Sequence, residues 1–334
     1  MSRNNSRLPP VYFCSVRLSA LASRKAVHLF EKVRNWPLFS SARIPLYVWA
    51  SLVSQILIVV TGGVVRLTGS GLGCPTWPKC TTDSLVTVPE MGIHGVIEFA
   101  NRLLTFVLAL IALFTFIAVM ALGKKLRVGL VVPALVLGLG IPAQAILGGF
   151  TVLTQLNPWF VGAHFVLSGL MIATAALLVF RALPPAHLAV SQNIYRTATP
   201  IAIVGALTVL VGVLVTGAGP HSGDAQSVRN GLDLELWQHL HSYPAYLLLL
   251  LVLIQLGLLS RRDKVGLERS YQLKVSAWLL IVTIAQAIIG IAQARLGVPA
   301  GLVALHMLGA SVLCALLTFQ WLAIRGRAVS KQHG

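Results

Sequence analysis

Two histidines in apolar sequence are related by a constant internal offset. The segment AQAILG at 143–148 recurs 142 residues later as AQAIIG at 285–290, and each glutamine is followed twenty residues on by a histidine, His164 or His306. A repeat of this length indicates a fold built from two copies of one unit. A histidine kept in register suggests that each copy binds a ligand through an imidazole, with a hydrogen bond to a neighbouring helix as the alternative.

A carboxylate lies in another apolar segment. Glu98 has His94 four residues before it and Asn101 three residues after it, a spacing that places all three on one face of a helix. Because the segment is apolar enough to span a bilayer, the cost of burying Glu98 there marks a functional site. The alternatives are an ion pair with Arg102 and a hydrogen bond to a neighbouring helix.

The composition predicts a membrane protein. Hydrophobic residues make up 56% of the 334 residues and charged residues only 10%, against about 25% in a typical soluble chain. Eight runs are long and apolar enough to cross a bilayer, which takes about 20 residues each. They are residues 44–65, 95–122, 129–150, 161–183, 198–217, 236–259, 275–294 and 301–324.

The basic residues are distributed asymmetrically about these runs. Segments on the side of the N-terminus hold 21 of the 26 Lys and Arg residues, whereas the opposite side has only Arg66, Lys79, Arg102, Arg229 and Arg295. This asymmetry predicts that both termini face the cytoplasm. The net charge of +17 therefore indicates topology and contact with anionic lipid, and we expect no nucleic-acid partner.

The N-terminal segment 1–43 is basic, rich in Ser, and without the apolar core of a signal peptide. We interpret it as a cytoplasmic tail with an amphipathic helix at 18–33 on the membrane surface. A mitochondrial transit peptide is the alternative.

Two of the four cysteines are close together in an oxidising compartment. Cys74 and Cys80 lie in the first external loop, in CPTWPKC, which predicts a disulfide. A redox-active pair is the alternative. Cys14 and Cys314 lie in the tail and in the last helix.

The sequence thus predicts an all-α membrane protein with eight transmembrane helices in two four-helix bundles. The segments are a tail (1–43), an N-terminal bundle (44–183), a C-terminal bundle (198–324) and a cytoplasmic tail (325–334). Each half has an even number of spans, so both halves share one orientation and form a parallel repeat.

Three histidines and one asparagine lie at matched depth in this arrangement. His164, His241 and His306 are three to five residues into their predicted helices and Asn101 is six, which places them about 5–9 Å below the outer helix ends. We favour His241 over His239, two residues away, because His241 aligns with Asn101 in the repeat. We interpret His239 as a hydrogen-bonded neighbour. His221, in the third external loop, is a weaker candidate for a lid or proton route.

Paired histidines from facing helices favour haem over zinc. Zinc prefers three or four ligands and a more polar cavity, whereas haem takes two axial histidines and is mostly apolar. The haem propionates would point to the outer surface, where Arg66, Arg102 and Arg295 are candidate contacts.

Several motifs together resemble the haem A synthase family, from residue 48 to 322. They are GGVVRLTGSGLGCPTWPKC (62–80), IEFANRLLTF (97–106), ILGGFTVLTQLNPWFVGAH (146–164) and LVALHMLGA (302–310). The resemblance implies a duplicated eight-helix fold. It also implies oxidation of haem O to haem A for haem-A-containing terminal oxidases. In that reaction two successive hydroxylations, with water as the expected oxygen source, convert a ring methyl to an aldehyde.

The resemblance also implies roles for individual residues. His241 and His306 become the axial ligands of a haem b cofactor in the C-terminal half, and His164 becomes a ligand of the substrate haem in the N-terminal half. Glu98 matches the catalytic glutamate, and the family's outer-loop cysteine pair matches Cys74 and Cys80. The better-known members have a histidine where this chain has Asn101, and His94 on the same face is the alternative ligand.

The expected partners are haem O, a haem O synthase, a membrane electron acceptor and the lipid bilayer, and the chain is compatible with a homo-oligomer. We expect a bacterial cell membrane, with the mitochondrial inner membrane as the alternative. Two other functions remain open. A non-catalytic dihaem b electron carrier would need two complete histidine pairs, and a transporter with a parallel repeat would need a midplane site.

Overall fold

The computed structural model describes residues 36–185, 191–262 and 271–325, and the secondary structure of this part of the chain is helical. Its eight long helices are α1 (Ile44–Leu67), α2 (Gly92–Ala121), α3 (Val131–Leu153), α4 (Pro158–Ala182), α5 (Gln192–Ala218), α6 (Leu234–Arg262), α7 (Tyr271–Arg295) and α8 (Ala300–Arg325). All eight are long and apolar enough to cross a membrane, as predicted.

Several helices extend beyond the predicted apolar runs. Helix α2 begins at Gly92 rather than at residue 95, and α5 begins at Gln192 rather than at residue 198. Hydropathy marks only the part of a helix that matches the hydrocarbon layer. The backbone hydrogen bonds continue into polar sequence, because water and lipid headgroups solvate polar side chains there.

The two groups of four helices have the same pattern of neighbours. In the first group α1 packs on α2 and α4, and α3 packs on the same two helices. In the second group α5 packs on α6 and α8, and α7 packs on those two. Helices α2 and α4 therefore occupy opposite corners of one ring, and α6 and α8 occupy opposite corners of the other. The two rings meet through α8 against α1 and α4, and through α4 against α5.

One end of the bundle is packed more tightly than the other. We call the end at which α1 begins and α8 ends the packed end, and the opposite end the site end. The largest fully buried side chains lie between the helix midpoints and the packed end; they are Val48, Val119, Leu137, Ile172, Leu178, Ile194, Ile201, Leu248, Gln255, Leu259, Leu279 and Gln320. The best-packed part of the interior therefore lies in the half of the bundle at the packed end.

A buried glutamine joins all four helices of the second ring near the packed end. Gln255 on α6 is fully buried and donates to the Thr197 hydroxyl on α5 at 2.7 Å. Its side-chain oxygen accepts hydrogen bonds at 3.0 Å from Ser276 on α7 and from Gln320 on α8. In a bilayer such polar groups must find partners inside the protein.

The loops at the site end join the two rings. The Arg66 guanidinium at the end of α1 donates to the carbonyls of Thr216, at 2.7 Å, and His221. The Gly71 amide donates to the Gly223 carbonyl at 2.8 Å. The loop after α1 is thus held against the loop after α5.

The loop between α1 and α2 also contains a disulfide. Cys74 and Cys80 are bonded to each other and fully buried. Of the other two cysteines, Cys314 on α8 is free and partly buried. Cys14 lies outside the described residues, as do the predicted helix at 18–33 and most of both tails.

Gln255→Leu tests the polar junction. Interhelical hydrogen bonds in membrane proteins contribute about 0.6 kcal/mol each, so losing three should lower the unfolding free energy by roughly 2 kcal/mol. Thermal unfolding in detergent should show this as a lower midpoint. Gln192→Leu, at an exposed position where α5 begins, is the control. An equal loss in both variants would contradict the assignment.

Protein purified without reductant should contain the Cys74–Cys80 disulfide. Rapid alkylation followed by mass spectrometry should leave both cysteines unlabelled, whereas Cys314 should become labelled once the protein is unfolded. Labelling of Cys74 and Cys80 before any reduction would show that the bond is absent.

Candidate functional site

Two histidines face each other across the second ring. The ring centroids of His241 on α6 and His306 on α8 are 6.3 Å apart, with their planes at 77°. The Nδ1 atom of each ring is buried and forms no hydrogen bond of standard geometry, although the Thr208 backbone makes a polar contact with the His241 ring. His239 is exposed on another face of α6. Of the two candidates on α6, His241 therefore faces His306.

A glycine on a neighbouring helix lies against each of these rings. A Cβ atom at Gly212 of α5 would lie 2.9 Å from Cε1 of His241, closer than ordinary van der Waals contact. A Cβ at Gly290 of α7 would lie 3.7 Å from Cε1 of His306, which is an ordinary contact distance. The absence of a side chain is therefore required beside His241, whereas the space beside His306 would also admit a Cβ atom.

In the first ring, the His164 imidazole also lies against a glycine of a neighbouring helix. A Cβ at Gly148 of α3 would lie 3.3 Å from Cε1 of His164. Gly148 and Gly290 are 142 residues apart, like His164 and His306, so the repeat preserves each histidine together with its glycine. This pairing was missed in the sequence, although the shared offset could have revealed it.

The repeated glutamines contact the histidine-bearing helices. Gln144 on α3 donates to the Ser168 hydroxyl of α4 at 2.7 Å and to the His164 carbonyl at 3.3 Å. Gln286 on α7 lies against Gly309 of α8, where a Cβ would clash with its amide. The AQAILG and AQAIIG segments therefore place a glutamine and a glycine against each histidine-bearing helix.

The three candidate histidines lie at similar depth, but deeper than predicted. His164 and His306 are six residues beyond the first residue of their helices and His241 is seven, which corresponds to about 9–11 Å. Asn101 is nine residues along α2, because that helix begins three residues earlier than predicted. Like the histidine Nδ1 atoms, the Asn101 Oδ1 atom is buried without a hydrogen-bond partner.

The carboxylate of Glu98, a residue of α2, is held in position by the disulfide loop and by Arg102. It is 5% exposed, and its Oε2 atom accepts a 2.5 Å hydrogen bond from the Cys74 amide. Its Oε1 atom accepts from Arg102, at 2.6 Å from Nη2 and 3.1 Å from Nε. The ion pair that was the structural alternative is therefore present. It fixes the carboxylate and does not preclude a chemical role.

The same arginine anchors the loop. Arg102 donates to the backbone carbonyls of Cys74, Thr76 and Lys79. The disulfide-closed segment therefore folds around a guanidinium whose own position is fixed by Glu98. The spacing of Glu98 and Arg102 predicted their pairing, but not the enclosing loop.

His94 lies nearer the start of α2, at the site end, than Asn101 does. Its Nδ1 atom is 2.9 Å from the Ser70 hydroxyl, which is 2.8 Å from the Thr68 hydroxyl. Both Gly69 and His94 line an open cavity of about 600 Å³ that also touches Asp224 of the loop after α5. His94 is about 10 Å along the helix axis from Asn101 and belongs to this cavity at the site end.

The arginines named as propionate candidates differ in their surroundings. Arg66 and Arg102 bond the backbone carbonyls described above, and Arg295 is exposed at the end of α7. His221 contacts the Val298 carbonyl through Nε2 at 2.8 Å and thereby joins the loop after α5 to the loop after α7.

No three His, Cys, Asp or Glu side chains converge as a metal site within the ranges that the structure describes. Two facing imidazoles without a third ligand do not form the ligand set of a zinc centre.

Comparison with known proteins assigns the family. The family model described as cytochrome oxidase assembly protein (COX15-CtaA) matches residues 45–318. The haem A synthase of Shewanella oneidensis is 26% identical over 200 residues, 55% of this chain and 58% of that protein. The haem A synthase of an Exiguobacterium species is 28% identical, over 50% of this chain and 56% of that protein. These matches thus span little more than half of either relative.

A third similarity extends over most of both chains. The haem A synthase of Listeria monocytogenes is 26% identical over 82% of this chain and 93% of that protein. The chain therefore belongs to the cytochrome oxidase assembly protein family, the haem A synthase family that its motifs resemble.

Proposed function

We propose that this protein is a haem A synthase, which oxidises haem O to haem A in a bacterial cell membrane. The observation that carries the proposal is the chemical difference between two similar rings of helices. One ring holds two opposed imidazoles, and the other combines a single imidazole with a buried carboxylate. An oxidation of this kind requires one site that binds the substrate and a second site whose cofactor accepts electrons.

The arrangement we propose is a parallel repeat with both termini in the cytoplasm. The identical neighbour pattern of the two rings and the 142-residue offset of histidine and glycine support the repeat. The excess of Lys and Arg on the side of the termini supports the orientation. The site end then faces outward.

His241 and His306 are the residues that would hold a haem b cofactor. Their ring centroids are 6.3 Å apart, and both Nδ1 atoms are buried without a hydrogen-bond partner, so the two imidazoles are free to bind one group between them. The helices that carry the two rings occupy opposite corners, as a ligand between them requires. When bound, a haem supplies one-electron redox chemistry.

The N-terminal ring is the proposed substrate site. His164 would ligate the iron of haem O, with Glu98 and Asn101 on the facing helix. Asn101 is one turn beyond Glu98 on the same face of α2, so both side chains lie towards the same space. The Cys74 amide and the Arg102 guanidinium keep Glu98 in place without requiring movement during the reaction.

Glu98 is the proposed catalytic residue. Each hydroxylation joins a water oxygen to the methyl carbon and releases two electrons and two protons. A fixed negative charge beside that carbon stabilises the positive charge that develops on it, or orients the attacking water. After a second hydroxylation, the carbon loses water to become the aldehyde. A membrane electron acceptor would take up the electrons released in the two hydroxylations.

An enzyme that farnesylates haem would supply the substrate. A 62-residue segment of the chain is 36% identical to part of the protohaem IX farnesyltransferase of Thermus thermophilus, about 10% of that protein. We propose that a haem O synthase of this class transfers its product to the N-terminal ring within the membrane.

Alanine substitutions of the three histidines should separate cofactor ligands, whose loss removes the b-type spectrum, from the substrate ligand, whose loss removes activity. His241→Ala and His306→Ala should abolish a low-spin b-type absorption spectrum in the purified protein. His164→Ala should retain that spectrum and lose conversion of haem O. A normal spectrum in both of the first two variants would refute the cofactor assignment. Loss of the b-type spectrum in His164→Ala would refute the division between the rings.

Glu98→Gln should lower haem A formation by at least 10²-fold, the usual effect of losing one electrostatic catalytic group. The amide keeps a hydrogen-bond acceptor for the Cys74 amide but removes the negative charge. Haem analysis of cells expressing the variant should show haem O or its hydroxylated product.

Gln226→Glu, at an exposed position, is a control for charge changes at this surface. Near-normal haem A formation by Glu98→Gln would leave Glu98 a structural role only. Two bound haems without any conversion by the native protein would instead favour a dihaem electron carrier.

A further inference from the structure

The two rings differ at one position that should coordinate iron. His241 on α6 faces His306, whereas the matching position on α2 is Asn101, on the helix opposite the one that carries His164. The neighbour pattern of the helices is the same in both rings, and a glycine lies against each of His164 and His306. The N-terminal site is therefore a two-histidine site with one imidazole replaced by an amide.

We propose that the N-terminal ring holds its haem through His164 alone. The opposite coordination position is then open, beside Asn101, to a small neutral ligand such as water or a diatomic gas. The proposal rests on the proposed function only in requiring a haem in this ring.

The chemistry of the amide supports an open position. An asparagine oxygen is a hard, weakly basic donor, whereas iron in haem proteins is held by imidazole, thiolate, thioether or phenolate groups. Asn101 Oδ1 is buried and has no hydrogen-bond partner. Its amide group can donate a hydrogen bond to a molecule bound at the iron.

The other candidate ligand is positioned elsewhere. His94 lies two turns from Asn101, about 10 Å along the axis. Its Nδ1 contact with the Ser70 hydroxyl leaves Nε2 free, but the side chain lines the cavity at the site end. His94 is therefore placed to contact the outer part of a bound molecule and not to complete the coordination opposite His164.

Charge and size define the ligand class. Glu98 is one turn from Asn101 on the same face, but its charge is balanced by Arg102 at 2.6 Å, so the surroundings of the open position favour a neutral ligand. An imidazole exceeds an amide by only a few atoms, so the vacated space admits a molecule of two or three atoms. Neutral carbon monoxide is a suitable probe.

Carbon monoxide binding to the reduced protein tests the proposal. The full chain is purified in detergent, supplied with haemin until two haems are bound, and reduced with dithionite. Difference spectra should show one carbon monoxide bound per two haems, because the iron between His241 and His306 has no open position. Asn101→His should lower this binding at least tenfold without changing the haem content. Asn193→His, at an exposed position on α5, should leave binding unchanged.

Infrared spectra provide a second readout. Asn101→Ala should retain carbon monoxide binding and shift the carbon–oxygen stretching frequency, because the amide no longer lies beside the ligand. An unshifted frequency would show that Asn101 does not face the open position.

Several results would overturn the proposal. One is a native protein with two haems that binds no carbon monoxide, and another is binding that appears only after His94→Ala, which would make His94 the sixth ligand. Failure of the N-terminal ring to take up any haem would also overturn it. Conversion of haem O without carbon monoxide binding would refute this inference alone, whereas carbon monoxide binding without conversion would refute only the enzymatic proposal.

Discussion

The cost of burying polar groups in a bilayer governs this structure, because lipid offers them no hydrogen bonds. The chain meets this constraint in two ways. Near the packed end, Gln255 bonds three other helices through its amide. At the site end, His164, His241, His306 and Asn101 each bury a polar atom that has no protein partner. The first arrangement stabilises the helix bundle, and the second favours a bound ligand.

The separation of these two regions would let one scaffold carry the two proposed chemistries. The largest buried side chains, near the packed end, hold the helices together away from the sites. Residues at the site end can then differ between the rings without disturbing the helix arrangement. One ring retains a histidine pair, and the other retains a single histidine and adds a carboxylate anchored by a disulfide-closed loop. Such divergence is consistent with the scheme of one cofactor and one substrate.

Much of the arrangement could be predicted from sequence. Hydropathy identified all eight helices, and the repeat register identified His164 and His306 as equivalent. The depth of the sites was underestimated because helices continue past the apolar run. The contacts of Gln255 could not be foreseen, since its partners Thr197 and Gln320 are 58 and 65 residues away. Nor could the sequence show that Arg102 bonds the loop around Cys74, because this requires the folded path of that loop.

The hydrogen bond between Gly71 and Gly223 has a mechanical consequence. Gly71 lies three residues before the cysteine whose amide holds the Glu98 carboxylate, and Gly223 lies in the loop that leads into the helix carrying His241. The Arg66 guanidinium adds a second link to the same loop through the His221 carbonyl. Neither loop can therefore be displaced without moving the other or breaking these contacts.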